Sequence, residues 1–129
     1  MPTFALDTAS PSPSLALVRD ERPLAELWLA PDPGSGRRVL EAAHGLLTAA
    51  GLTVRSLDGI IVGVGPGGFT GLRIGLATAL GLGQALGVPV TGASSLEALA
   101  LGIASAAPGA ELVAPVLDAR RGELFAALY

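Results

Sequence analysis

Apolar and polar positions alternate at both ends of the chain and follow a helical period in the middle. Thr3 to Leu6, Leu15 to Val18 and Leu24 to Leu29 are short apolar runs separated by Ser10-Pro11-Ser12-Pro13 and Asp20-Glu21-Arg22-Pro23. Proline, serine and charged clusters of this kind make turns, so the three runs predict an antiparallel meander. Pro31-Asp32-Pro33-Gly34 ends it. Val39, Leu40, Ala43, Leu46, Leu47 and Ala50 then fall at i, i+3, i+4 spacing, which predicts a helix capped near Ser35 and stopped at Gly51. Leu57 to Val64 reads as a strand with apolar residues on both faces, as in mid-sheet. A second helix is predicted from about Thr70 to Leu86, then a short strand at Val88-Pro89-Val90. Ser94-Ser95-Leu96-Glu97 is a capping box opening a third helix. Strands are expected at Leu112–Leu117 and Leu124–Tyr129. The order β-β-β-α-β-α-β-α-β-β predicts an α/β fold: a mixed sheet with helices packed on it.

Between the fourth strand and the second helix lies Gly63-Val64-Gly65-Pro66-Gly67-Gly68-Phe69-Thr70-Gly71-Leu72-Arg73-Ile74-Gly75, with six glycines and one proline in thirteen residues. Gly63, Gly65 and Gly68 spell G-x-G-x-x-G. A dinucleotide fold places that pattern after its first strand with an acid about 20 residues on. Here it follows the fourth strand, and the next acid is Glu97. A P-loop requires a lysine, and this chain has none. The helix after the loop carries Gly71, Gly75, Gly81 and Gly83, each costing about 0.8–1 kcal/mol against alanine. Gly71, Gly75, Ala79, Gly83 and Gly87 recur every fourth residue. With Leu72, Leu76, Val39 and Ala43 they are expected to form a partner interface. Gly75→Leu or Ala79→Arg is then expected to abolish pairing while leaving the lobe folded.

Composition narrows the chemistry. Half of the 129 residues are apolar, the formal net charge is −3 and there is no cysteine. A chain of this balance has no electrostatic footprint for gripping nucleic acid directly, and thiol chemistry is excluded. The N-terminus lacks a signal-peptide pattern, and the apolar stretch Ile74–Val90 reads as a buried helix plus a strand start rather than a membrane span. His44 is the only histidine, so no two-histidine metal motif can be written. Asp7 and Thr8 are weak candidates for holding a nucleotide, and Asp118 a weaker one for a magnesium ion. Phe4-Ala5-Leu6-Asp7 leading into Leu15-Ala16-Leu17 is echoed by Val116-Leu117-Asp118 leading into Leu124-Phe125-Ala126. The echo predicts a lobe over 1–110 and the opening hairpin of a truncated or missing second lobe over 111–129.

Leu6-Asp7-Thr8, the block Gly65-Pro66-Gly67-Gly68-Phe69-Thr70-Gly71-Leu72-Arg73-Ile74-Gly75, Ser94-Ser95-Leu96-Glu97-Ala98 and Leu117-Asp118-Ala119-Arg120-Arg121-Gly122-Glu123-Leu124 together resemble the bacterial TsaB (YeaZ) family. The resemblance implies an actin/sugar-kinase/heat-shock-ATPase fold of two duplicated lobes. It implies a cytoplasmic, non-catalytic subunit in the threonylcarbamoyl modification of tRNA adenosine. Such a subunit pairs through helices 35–50 and 70–86 with a metal-holding transferase, TsaD, alongside an ATPase, TsaE. It touches tRNA only indirectly, needs no cofactor and forms a homodimer when alone. The family is also grouped with glycoprotease-like proteins, a label that no residue here supports. The sequence departs from the family at Ser35-Gly36-Arg37, where a His-Ser-Glu-like start is common, and at Ala9, where nucleotide-binding relatives carry glycine. The alternative reading is an ATP-binding sugar-kinase-like or glycoprotease-like enzyme lobe.

Overall fold

Alternation along the first strands sorts their side chains into a buried and an open face. In the computed structural model, which describes residues 1–129, β1 (Pro2–Asp7) buries Phe4 and Leu6. β2 (Ser14–Arg19) lies antiparallel to it, with Leu17 opposite Phe4 and Leu15 opposite Leu6. β3 (Arg22–Trp28) adds Leu27 and Ala25 to the same rows. The β2–β3 turn uses Asp20 (φ 50°) and Glu21 (φ 61°), the left-handed pair whose twist suits a two-residue hairpin. β4 (Gly59–Gly63) joins β1 in parallel, placing Ile60 beside Phe4 and Val62 beside Leu6. β5 (Val90–Ala93) lies parallel beyond β4, so the sheet order is β3-β2-β1-β4-β5.

Helices cover the face bearing those rows. A 3-10 turn at Ser35–Arg38 leads into α1 (Val39–Ala49), which buries Val39, Ala43, Leu46 and Leu47. The predicted serine cap does not form: the Ser35 hydroxyl donates to Asp32 O and Pro11 O, and this tie holds the turn to the β1–β2 connection. The glycine stop does form. Gly51 has φ 69°, its N–H donates to Thr48 O (3.0 Å), and the Leu52 N–H donates to Leu47 O (2.9 Å), the paired bonds of a Schellman motif. α2 (Phe69–Leu86) ends at left-handed Gly87. α3 (Ser95–Ala106) starts where expected, with Ser94 Oγ accepting from the Glu97 N–H (3.3 Å).

The opposite face of the sheet is open. On β4 it shows Ile61, 38% exposed, so this strand is central in the sheet but covered on one side only, against the two-sided burial that its apolar run predicts. β6 (Val116–Arg120) and β7 (Glu123–Ala126) form a separate two-stranded sheet. Beyond it, Val113 and Tyr129 exchange two backbone hydrogen bonds of 2.9 Å. No helix is long and apolar enough to cross a membrane.

Candidate functional site

The glycine loop is organised by what passes close to it. A Cβ on Gly63 would collide with the Asp7 carboxylate, whose Oδ1 accepts from the Ala9 N–H (2.7 Å). Gly65, at φ 91°, donates its N–H to Ser95 Oγ (3.1 Å) and accepts from the Ser95 N–H (2.9 Å). Ser95 is buried, and sequence reasoning had credited Ser94 alone; the adjacent serine was the signal. Gly67 has no room for a side chain against Ala9 O, and the Gly68 N–H donates to that same carbonyl (2.8 Å). The loop is thereby stapled to the turn after β1 and to the start of α3. Pro66 is half-buried within it.

Thr8 carries the staple into α2. It is buried, and its hydroxyl donates to Gly71 O. A Cβ on Gly71 would strike Thr8 O, and one on Gly75 would strike Thr8 Oγ1. Farther along, a Cβ on Gly83 would strike Val90 Cγ2 of β5, and Ala79 is 0% exposed. The small-residue series Gly71, Gly75, Ala79, Gly83 therefore faces the chain's own sheet, and its assignment to a partner interface is corrected. Val39 and Ala43 are likewise buried in the core under α1, and Leu72 and Leu76 are half-buried on the flank of α2. The glycines are needed because α2 lies so close to β1 and β5 that a methyl group has no space. The expectation that Gly75→Leu or Ala79→Arg leaves the lobe folded falls for the same reason. Asp7 and Thr8, the candidate nucleotide ligands, sit together but spend these bonds on Ala9 and Gly71.

The outward side of α2 is a different surface. Phe69 (74% exposed), Thr70, Arg73, Ala77, Leu80 (59%), Gly81, Gln84 and Ala85 face away from the sheet. Arg73 is the one charged residue of the eighteen, and its guanidinium stacks 5.3 Å from the Phe69 ring centroid. A second series of small residues, Ala77, Gly81 and Ala85, runs along this side; space beside Gly81 is empty to 4 Å. The 3-10 turn before α1 packs against α2 at Ile74, where a Cβ added to Gly36 would lie 2.9 Å from Ile74 Cδ1. From α1 itself, Leu40 (57% exposed), Glu41, His44, Gly45 and Ala49 are exposed. Of the candidate site residues named from the sequence, only Gly68, Phe69, Thr70 and Arg73 are on this open surface of α2; Ala77, Leu80 and Gly81 were missed as candidates.

Comparison with known proteins bears on what this surface belongs to. Residues 35–129 match the family model described as TsaD: tRNA N6-adenosine threonylcarbamoyltransferase. Over 129 residues the chain is 35% identical to the tRNA threonylcarbamoyladenosine biosynthesis protein TsaB of Bacillus subtilis and 36% identical to that of Escherichia coli. It superposes on YeaZ from Pseudomonas aeruginosa with a TM-score of 0.88 at 35% identity, covering 99% of this chain and 59% of that one. The chain belongs to the TsaB (YeaZ) family. The fold is accordingly of the actin/sugar-kinase/heat-shock-ATPase type. All of this chain matches the two curated relatives, but it spans only 55% of the length of each.

Proposed function

We propose that this chain is the docking lobe of a non-catalytic subunit in cytoplasmic tRNA N6-threonylcarbamoyladenosine biosynthesis. Its partner is a TsaD-like transferase, with a TsaE-like ATPase joining through the complex and tRNA touched only indirectly. The observation that carries the reading is the outward side of α2: an eighteen-residue helix with a single charge, exposing Phe69 and Leu80. Apolar helical faces of this kind mark protein–protein contact sites. The names of the Bacillus and Escherichia relatives supply the pathway. A supporting role rather than catalysis fits the turn after β1, where Asp7 Oδ1 accepts from the Ala9 N–H and the Thr8 hydroxyl donates to Gly71 O. It also fits the glycine loop, whose Gly65 and Gly68 N–H groups are engaged within the chain. Asp118 Oδ1 accepts from the Arg120 N–H (2.7 Å) just as Asp7 accepts from Ala9, which supports reading 111–129 as the opening hairpin of a second lobe built like the first.

The test is a pull-down of the TsaD-like transferase of the same genome by wild type and by Leu80→Glu. Leu80 is exposed, so the variant keeps its circular-dichroism spectrum and melts within about 0.5 kcal/mol of wild type. Binding weakens at least about tenfold if Leu80 is a central contact. A folded Leu80→Glu that captures the transferase as well as wild type does would overturn the docking face.

A further inference from the structure

One edge of the sheet is open next to a pocket. β3 is the outermost strand on its side, with β2 as its single neighbour. The Leu29 N–H donates to Pro13 O (2.9 Å), and the register sets Leu27 opposite Leu15 and Ala25 opposite Leu17. Along an antiparallel ladder, alternate residues turn their backbone groups to opposite neighbours. The N–H and C=O groups of Ala25 and Leu27 therefore serve β2, and those of Glu26 and Trp28 point to the free edge, where no loop backbone takes them up. Edge strands are commonly blunted by proline or a bulge. β3 has Pro23 and a register shift opposite Leu17 and Val18, but both lie before Glu26. Leu27 and the adjoining Leu29 also line a pocket of about 240 Å³, with Arg38, Glu41 and Ala42 of the α1 end. Arg38 and Glu41 are exposed. The one ion pair of the chain joins the N-terminus to Asp20, so neither charge at the pocket has a partner within the chain. No lining residue belongs to α2, which makes this site separate from the outward surface of that helix.

We propose that the β3 edge binds an extended peptide segment of another protein, carrying an aliphatic residue with an acid two positions to one side and a base two positions to the other. A strand added antiparallel completes the ladder at Glu26 and Trp28, a row of donors and acceptors that an extended backbone matches. Its side chains alternate between faces, so every second one lies on the α1 side. The aliphatic side chain fills the pocket over Leu27, Leu29 and Ala42. The charged ones, about 7 Å to either side, meet Arg38 and Glu41, which are three residues apart on one side of the helix. A second copy of this chain is the poorer occupant: the α1-side residues that its own β3 could bring are Ala25 and Leu27, and both already pack against its own core.

Trp28 is the one tryptophan of the chain and is 64% exposed, so its emission reports whether this edge is covered. The experiment uses the full chain and a capped peptide of order Thr-Glu-Thr-Leu-Thr-Lys-Thr, together with its twin in which Glu and Lys are exchanged. One of the two orders binds with a Kd of about 1 mM or tighter and shifts Trp28 emission to the blue. Asp in place of the peptide's Leu weakens binding at least about tenfold. N-methylation of the two Thr residues flanking that Leu, whose amides face β3, does the same. Arg38 is the N-cap of α1, where a carboxylate suits the helix dipole, so Arg38→Glu keeps its circular-dichroism spectrum. That variant weakens the preferred order at least about threefold. Failure of both orders to bind, equal binding of the two, or indifference to N-methylation or to Arg38→Glu overturns the proposal. A blue shift that grows with chain concentration in the absence of peptide assigns the edge to a second copy and overturns it as well.

Discussion

The two sides of α2 carry the same kind of residue for opposite reasons. Toward the sheet, Gly71, Gly75, Ala79 and Gly83 are small because Thr8 and Val90 already occupy the space. Outward, Ala77, Gly81 and Ala85 are small with nothing pressed against Gly81. On the first side the loss of helix propensity at glycine is offset by close packing. On the second side only Gly81 carries that loss, since alanine is the best helix former, and nothing in the chain is pressed against it. A stripe of small residues thus says that something comes close, but not whether it belongs to the same chain.

Substitutions can separate the two sides. The largest effect is expected for Ala79→Arg: a charge forced into a fully enclosed position costs at least about 3 kcal/mol, and the thermal transition is lowered strongly or lost. Retention of the wild-type melting curve would break the contrast. Gly75→Ala comes next, destabilising by about 1–3 kcal/mol because the new methyl meets Thr8 Oγ1. Combining it with Thr8→Ala removes that oxygen, so a double-mutant cycle in urea should show less than additive loss. Full additivity would mean that the Thr8–Gly75 contact does not govern the helix position. Gly81→Ala is the smallest effect and has the opposite sign. With open space at Cβ and no positive φ, it should stabilise the isolated chain by about 0.8–1 kcal/mol through helix propensity. The added methyl should weaken capture of the transferase if a partner helix packs along Ala77, Gly81 and Ala85.

The hairpin at the end of the chain offers a second contrast with the main lobe. β1 has neighbours on both edges, β2 and β4, whereas β6 pairs with β7 alone, in a two-stranded sheet of its own. Aligned on the two aspartates, the cross-strand pair Leu117–Phe125 corresponds to Leu6–Leu15; Leu6 and Leu15 are core, whereas Leu117 and Phe125 are only half-buried. The local bond is the same at both sites, a carboxylate accepting from the N–H two residues on, but the packing around it differs.

Much of this architecture was legible in the residues alone. Period-two alternation identified β1 and β2, the i, i+3, i+4 stripe identified α1, and Gly51-Leu52 marked its end, because those signals are local and the backbone answers to them directly. The Ser94 cap of α3 was legible for the same reason. Ser35 was misread because its hydroxyl has a choice of acceptors, and the bond to Pro11 O depends on a segment 24 residues away. The start of β6 was placed early because Leu112–Ala114 is apolar enough for a strand, yet only Val113 finds a partner, at Tyr129.

The sequence by itself determined the order of elements, the glycine-rich passage from β4 into α2 and the family to which those motifs belong. Only the tertiary structure decided which side of α2 meets the sheet. Two series of small residues four apart run along that helix, and a 3.6-residue turn gives both nearly the same signature. What distinguishes them is Thr8, just past β1, and Val90 on β5, residues that the fold brings against one series and not the other.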